Sequence, residues 1–184
     1  MKKYLITDPQ HYSQDLELFK KRLSYALDLH QPEFMLYRDK ENPYSDLLCK
    51  VFVDLGKEYK NIKSFLHSDV KMAHALGADG VHITYKDKNV IAEAKELGLE
   101  VIVSTHSHEE VVDIAQLGAD YVTYSPIFAT PNKGEPKGVE DLRALLQKVS
   151  IKVFALGGIV SDKELESLQN CSVYGFASIR YFYQ

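Results

Sequence analysis

A four-residue phrase recurs three times in the middle of the chain and constrains the fold more than any other feature. It reads LGAD at residues 76–79, LGLE at 97–100 and LGAD at 117–120. Each copy follows a segment whose apolar residues fall on one helical face, and each precedes a short apolar segment. A glycine placed after the last apolar residue of a helix typically adopts the left-handed conformation that ends the helix. The phrase therefore predicts a repeated helix–glycine–strand unit with a period of about 20 residues.

Short segments rich in Val, Ile, Phe and Tyr recur along the whole chain. Most of them lack a clean alternation of apolar and polar residues, which favours strands buried on both faces of a parallel sheet. We predict eight strands, at residues 3–7, 34–37, 64–66, 80–83, 100–103, 121–124, 152–156 and 173–176. The helical patterns between them are typical of the crossover connections that join parallel strands.

Eight parallel strands favour a closed (β/α)8 barrel, the TIM barrel, over the alternative of an open doubly wound sheet. The segment SIRYFYQ, residues 178–184, follows the last predicted strand and leaves little length for a helix after it. We therefore expect one compact α/β domain over residues 1–184, with the last helix short or missing. The aromatic residues of this tail pack either on the barrel or in the interface of a homodimer, because adjacent exposed aromatics are rare without a partner.

Composition excludes several classes of function. The net charge of −4 over 184 residues gives no overall field for binding nucleic acid. No segment approaches the ~20 apolar residues that span a membrane. The two cysteines, Cys49 and Cys171, have neither zinc-site nor CxxC spacing, so we expect reduced thiols. These features indicate a cytoplasmic protein with no nucleic-acid and no membrane partner.

In barrels of this kind the functional site lies where the strands end and the following loops begin. Arg38 and Lys40 come after the second strand, and residues two apart in an extended segment point to the same side. Two such cations suit an anion, although solvated surface charge is the alternative. Gly157 and Gly158 come after the seventh strand, where glycines let backbone N–H groups approach a ligand closely.

The loops after strands seven and eight form the usual phosphate grip of these barrels, and Ala177 and Ser178 come after the eighth. The loop after strand six, SPIFATPNKGEPKG at residues 125–138, is either a solvated connection or a lid over an anion. It carries Thr130, Asn132 and Lys133, and its prolines reduce the entropy that ordering it would cost.

Three further strand ends carry polar residues whose functional and structural roles both remain open. After the third strand come His67, Ser68 and Asp69, and the last two are also good helix caps. Asp87 after the fourth strand either caps a helix or holds a metal ion between phosphate oxygens. After the fifth strand come residues 104–106, Ser-Thr-His, which either line a site or satisfy structural hydrogen bonds.

Six segments resemble, in the same order, the thiamine phosphate synthase/TenI family: YLITD, LYRDK, HSDVKMAHALGADGVHI, STHSHEEV, GADYVTYSPIFATPNKG and FALGGI. The resemblance covers nearly the whole chain. It implies a (β/α)8 barrel that joins hydroxymethylpyrimidine pyrophosphate to thiazole phosphate, which yields thiamine phosphate and pyrophosphate. It also implies that Mg²⁺ and cationic side chains neutralise the departing pyrophosphate.

The resemblance also implies roles for individual residues. Arg38, Lys40 and Lys133 match the cations that hold the pyrophosphate, and Asp87 matches a magnesium ligand. With His106, the three cations form the predicted catalytic set. The predicted substrate-binding set comprises His67, Ser104, Thr130, Asn132, Gly157, Gly158, Ala177 and Ser178.

Three positions depart from the family's pattern. The family's Asn–Asp pair after strand three reads His67-Ser68 here, so we expect weaker Mg²⁺ binding. A glutamine is replaced by Leu36 and a lid threonine by Asn132.

Three functions therefore remain open, of which the synthase, a transferase, is favoured. A TenI-like isomerase of thiazole carboxylate phosphate is the second. Its proton-carrying histidine after strand six is Pro126 here, so His67 or His106 would replace it. A non-catalytic barrel that binds thiazole phosphate is the third.

Overall fold

The computed structural model describes residues 1–40, 42 and 45–183. Its parallel strands form a closed barrel in sequential order, in which β8 pairs with β1. The strands are β1 Lys2–Ile6, β2 Phe34–Tyr37, β3 Lys63–His67, β4 Gly80–Thr84, β5 Glu100–Thr105, β6 Tyr121–Tyr124, β7 Lys152–Leu156 and β8 Gly175–Ser178. The predicted (β/α)8 barrel is therefore confirmed, and the alternative of an open sheet is wrong.

The helices lie outside the barrel, between consecutive strands. They are α1 Pro9–Tyr12, α2 Leu16–His30, α3 Asp46–Glu58, α4 Val70–Leu76, α5 Ile91–Glu96, α6 His108–Gln116, α7 Gly138–Leu146 and α8 Asp162–Leu168. A 3-10 helix, Tyr85–Val90, precedes α5. The glycines of the repeated phrase, Gly77, Gly98 and Gly118, have φ of 68°, 77° and 83°, which confirms the predicted left-handed helix ends.

The eighth strand begins two residues later than predicted, at Gly175 instead of residue 173. Gly175 pairs with Lys2, and a Cβ at this position would collide with the carbonyl oxygen of Lys2. The close approach of β8 to β1 therefore requires a glycine at the start of the strand. Consequently Ala177 and Ser178 are the last residues of β8, where the prediction placed them in the following loop.

A second 3-10 helix, Arg180–Tyr183, follows β8 closely and takes the place of the helix that would follow the last strand, as predicted. Phe182 is 2% exposed, and its ring stacks on Phe176 at a centroid distance of 5.6 Å. The Tyr181 hydroxyl donates to Asp162 Oδ1 at 2.8 Å. The aromatic tail is thus packed on the side of the barrel, next to α2 and α8.

Aromatic side chains fill the barrel interior. Tyr4, Phe34, Phe65, Tyr121 and Phe154 form one buried cluster, which leaves the carboxyl ends of the strands as the open end of the barrel. Both cysteines are buried and free. Across the described residues, we find no helix with the length and apolar character that crossing a bilayer requires.

Candidate active site

Arg38 and Lys40 lie in the loop that directly follows β2, on either side of Asp39. Asp39, between Arg38 and Lys40, is 5% exposed, and its carboxylate accepts a hydrogen bond from Gln14 at 2.8 Å. The Arg38 charge is the main cause that lowers the pKa of Lys40; burial and the Lys133 charge lower it further. The three predicted cations therefore share one electrostatic environment, although Lys133 comes from the loop after β6.

Arg38 is the most enclosed of these three cations. Its backbone N–H donates to Thr7 Oγ1 at 3.1 Å, which fixes the end of β2 against the end of β1. Burial lowers the pKa of its guanidinium, and the nearby Asp8 carboxylate opposes that effect. Among the residues that the structure describes, no carboxylate lies within 4.0 Å of the charged nitrogens of Arg38, Lys40 or Lys133. Cations that repel one another, with no ion pair to a described carboxylate, favour an anion between them.

His67 ends β3 and faces these cations. Burial lowers its pKa to about 4, the Arg38 and Lys40 charges lower it as well, and the Asp87 carboxylate opposes them. The imidazole is therefore neutral near physiological pH, a state in which one ring nitrogen can donate a hydrogen bond and the other can accept one. The charges of Arg38, Lys40 and Asp87 all act on His67, so the structure brings four predicted site residues together.

We expect a bound anion to raise the pKa of His67. Pyrophosphate would offset the positive potential that now disfavours the imidazolium, and an opposite charge nearby shifts a pKa by about one unit or more. An NMR titration of the histidines with and without pyrophosphate measures this shift. His30 at the end of α2, whose pKa is lowered by burial and by Lys3, is the internal control and should not respond. An unchanged His67 would contradict an anion site at this position.

The carboxylates near β3 and β4 decide how a metal ion could be held. Asp87 is exposed and accepts a hydrogen bond from Thr84 Oγ1 at 2.6 Å. Ser68 has a left-handed φ of 60°. The Asp69 carboxylate accepts a hydrogen bond from Met72 N at 2.8 Å and thereby caps the N-terminus of α4. Within the described ranges, no three His, Cys, Asp or Glu side chains gather as a metal site. The donors fit a Mg²⁺ ion that phosphate oxygens hold together with one carboxylate, Asp87, because Mg²⁺ commonly binds through one or two carboxylates plus substrate phosphates.

The glycine pair after β7 supports the base of the loop after β6. Ile127 N donates to Leu156 O at 2.9 Å, and Phe128 N donates to Gly157 O at 3.0 Å. Gly158 has φ of 70°, and a Cβ there would lie 2.6 Å from Ala129 O. The two loops approach this closely only because position 158 is a glycine.

The tip of the loop after β6 projects from this fixed base. Residues 131–136 are exposed, and Asn132 has φ of 59°. Thr130 Oγ1 donates to Phe128 O at 2.9 Å, and Lys133 N donates to Thr130 O at 3.2 Å. The turn places Lys133 near enough to Lys40 to lower its pKa. The loop therefore brings a cation to the cations that follow β2.

A cavity of about 360 Å³, here called the mouth cavity, opens between the ends of β1, β7 and β8. It contains five of the predicted residues: Thr130, Gly157, Gly158, Ala177 and Ser178. The hydroxyl of Ser178 donates to Ile159 O at 2.7 Å and accepts from Tyr181 N at 3.2 Å. This hydroxyl therefore joins the loop after β7 to the tail.

Sequence reasoning missed three charged or titratable residues that line the mouth cavity, namely Asp8, His11 and Arg180. Asp8 Oδ1 and His11 Nδ1 lie 2.7 Å apart. Asp8 also raises the pKa of Arg38, so this cavity adjoins the cations after β2. The rule that sites lie at strand ends, applied to β1, would have found Asp8. Arg180 was read only as part of the tail.

The structure separates the two predicted residues that follow the apolar part of β5. His106 is exposed, its Nδ1 lies 3.1 Å from Ser125 O, and its N–H donates to Glu110 at 2.6 Å. It does not line the mouth cavity. Ser104 belongs to β5 itself, and its hydroxyl lies 2.8 Å from Nε2 of the buried His82, a residue that sequence reasoning did not single out.

A closed barrel of eight parallel strands, with cationic and polar side chains gathered at their carboxyl ends, defines the class of the protein as a (β/α)8-barrel enzyme. The family described as thiamine monophosphate synthase matches residues 3–182. The chain belongs to this family.

Individual relatives agree with this assignment. A protein of Aquifex aeolicus named putative thiamine-phosphate synthase 2 is 33% identical over 184 residues, which cover 97% of this chain and 96% of that protein. A thiamine-phosphate synthase of Chloroflexus aurantiacus is 40% identical over 94 residues, 49% of this chain and 44% of that protein. The solved thiamine phosphate pyrophosphorylase from Pyrococcus furiosus has a TM-score of 0.77 at 27% identity, covering 97% of this chain and 85% of that one. The protein is therefore a thiamine biosynthesis enzyme of the transferase class.

Proposed function

We propose that this protein condenses hydroxymethylpyrimidine pyrophosphate with thiazole phosphate to give thiamine phosphate and pyrophosphate. One observation supports the proposal: three cations and a glycine-lined cavity adjoin each other at the mouth of the barrel, and each suits an anion. Arg38, Lys40 and Lys133 share one electrostatic environment, and the mouth cavity with Gly158 adjoins it. Two sites of this kind suit a reaction between two phosphorylated substrates. The names of the relatives support the same reaction.

The residues suit a reaction that begins with the departure of pyrophosphate. The bond between the pyrimidine methylene carbon and the pyrophosphate oxygen breaks, and the electron pair leaves with the oxygen. Arg38, Lys40 and Lys133 stabilise the negative charge that develops there, which is commonly the largest contribution to catalysis. The lone pair of the thiazole nitrogen then forms the new C–N bond to the methylene carbon.

The mouth cavity would hold the second substrate. Gly157 and Gly158 line this cavity after β7, where backbone N–H groups suit a phosphate, and Arg180 supplies a cation to the same cavity. Mg²⁺, when bound through Asp87 and phosphate oxygens, would add positive charge beside the departing pyrophosphate. Neutral His67 contributes a hydrogen bond without adding charge.

A direct assay tests the proposal. Purified protein is incubated with both substrates and Mg²⁺, and thiamine phosphate and pyrophosphate are quantified together. We expect equal amounts of the two products. The proposal fails if neither product forms while an authentic synthase, assayed in parallel, is active.

A second candidate is a TenI-like isomerisation of thiazole carboxylate phosphate. It is favoured by the neutral imidazole of His67 and by Ser68, which stands where a synthase would carry a carboxylate. The same preparation incubated in D2O with this compound tests it by exchange of the ring proton. Tight binding of thiazole phosphate without either activity would support the third function, a non-catalytic barrel that binds this compound.

Position 68 offers a test of the metal. We expect Ser68→Asp to lower the Mg²⁺ concentration that gives half-maximal activity, because a second carboxylate would join Asp87. Aspartate tolerates the left-handed φ of 60° at this position. The matched control is Ser68→Asn, which has nearly the same shape without the charge. Identical Mg²⁺ dependence in both variants would show that position 68 does not face the metal.

A further inference from the structure

Three polar side chains form a hydrogen-bonded chain inside the barrel, beneath the mouth. The Tyr4 hydroxyl lies 2.8 Å from His82 Nδ1, and His82 Nε2 lies 2.8 Å from Ser104 Oγ. Tyr4 is 0% exposed and His82 is 2% exposed, whereas Ser104 is partly exposed near the end of β5. The Tyr4–His82–Ser104 chain therefore runs from the aromatic interior to the open end of the barrel.

Burial sets the protonation state of the two inner members. It lowers the pKa of His82 well below its ordinary value, and the nearby His67 and Arg38 lower it further, so the imidazole is neutral. Burial also raises the pKa of Tyr4, which keeps its proton. A neutral imidazole donates from one nitrogen and accepts at the other. The tautomer of His82 therefore decides whether the hydrogen bonds run from Tyr4 towards Ser104 or from Ser104 towards Tyr4.

Hydrogen-bond satisfaction selects that direction. If His82 carried its proton on Nδ1, it would donate to the Tyr4 oxygen, and the Tyr4 proton would need a different acceptor. In the part of the chain that the structure describes, this hydroxyl hydrogen-bonds to His82, and the rings of Phe34, Phe65 and Phe154 pack against the Tyr4 ring. A buried donor without an acceptor is costly. The satisfied arrangement has Tyr4 donating to Nδ1 and Nε2–H donating to Ser104.

We propose that Tyr4 and His82 are positioning residues that hold the Ser104 hydroxyl as a hydrogen-bond donor aimed at the anion in the mouth. Because Ser104 Oγ accepts from His82 on its inner side, its own proton remains available on the outer side. The proposal rests on the proposed function, in which that anion is the departing pyrophosphate. A donor fixed before the charge develops needs no reorganisation during the reaction.

A double-mutant cycle tests the coupling between Tyr4 and Ser104. The variants are Tyr4→Phe, Ser104→Ala and the double variant, each measured for kcat and for the dissociation constant of pyrophosphate. Loss of a single preorganised donor lowers kcat by about 100-fold or more, and loss of its orientation alone should lower it by about tenfold. Tyr4→Phe should have no further effect on either quantity in the Ser104→Ala background. Additive effects would overturn the proposal.

A matched control separates orientation from packing. Tyr121→Phe removes a hydroxyl from the same interior aromatic cluster, at the start of β6. We expect it to leave kcat and pyrophosphate binding unchanged. A loss equal to that of Tyr4→Phe would show that the interior hydroxyls act only through the stability of the barrel.

The tautomer of His82 is measured without any turnover. In ¹⁵N NMR of the histidine side chains, His82 should be neutral with its proton on Nε2, and Tyr4→Phe should shift the population towards Nδ1–H. A proton on Nδ1 in the unmodified protein would overturn the proposal even if the protein is an active synthase. If the tautomer and the pyrophosphate cycle are as expected but no thiamine phosphate forms, the proposed function fails while the positioning role stands.

Discussion

Replacing Lys133 by alanine should lower kcat/KM for the pyrimidine pyrophosphate by about 100- to 1,000-fold, the usual cost of removing one group that stabilises a developing anion. The Lys133 charge lowers the pKa of Lys40, so the two ammonium groups act on the same region of the mouth. The glycine-lined mouth cavity does not include Lys133 among its lining residues. We therefore expect the dissociation constant of thiazole phosphate to change little.

Lys137→Ala is the matched control for Lys133→Ala. Both lysines belong to the loop after β6, but the Lys137 ammonium lies over the Tyr124 ring, 5.3 Å from its centroid. Its removal should leave kcat/KM almost unchanged. Steady-state kinetics and calorimetric titration with thiazole phosphate check both variants. If Lys133→Ala weakened the two substrates equally, the mouth would not be divided into two anion sites.

Gly158→Ala should abolish thiazole-phosphate binding and destabilise the loop after β6. The added Cβ would lie 2.6 Å from Ala129 O and 2.6 Å from Phe128 Cβ, and the first of these is a backbone atom. The left-handed φ of 70° adds about 1–2 kcal/mol of strain for a residue with a Cβ. We expect the free energy of unfolding to fall by about 3 kcal/mol or more, in the range of severe core changes.

Gly118→Ala separates backbone strain from collision. Gly118 has φ of 83°, similar to Gly158, but a Cβ there would meet nothing within 4 Å. Its replacement should lower the free energy of unfolding by only about 1–2 kcal/mol and leave ligand binding intact. Urea denaturation and titration with thiazole phosphate measure the two effects. Intact binding in Gly158→Ala would contradict the placement of the phosphate beside the glycine pair.

Much of the barrel could be predicted because its signals are local. The phrase that contains Gly77, Gly98 and Gly118 carries the helix stop, and the next strand begins two or three residues after each glycine. The largest shift is in β8, which begins at Gly175, where the requirement for a glycine comes from the carbonyl oxygen of Lys2 at the other end of the chain. A pattern of neighbouring residues cannot predict a contact between two residues so far apart in the sequence.

The candidate site shows the same division. Strand-end position alone selected Arg38, Lys40, Thr130 and Gly158, because parallel strands in a barrel end on one side. It did not select His82, since a histidine in an apolar strand has no sequence signal for the direction in which it points. Nor did it show that the Ser178 hydroxyl is already bonded to Ile159 O.

The sequence by itself determined the order of helices and strands, favoured a closed barrel over an open sheet and predicted which end carries the site, because helix periodicity, helix stops and strand composition are properties of neighbouring residues. Only the tertiary structure decided that the charges of Lys40 and Lys133 act on each other, that burial keeps His67 and His82 neutral, and that Tyr4 reaches Ser104 through His82. Charge coupling, desolvation and hydrogen-bond direction depend on distances between distant parts of the chain, and those distances exist only after the barrel closes.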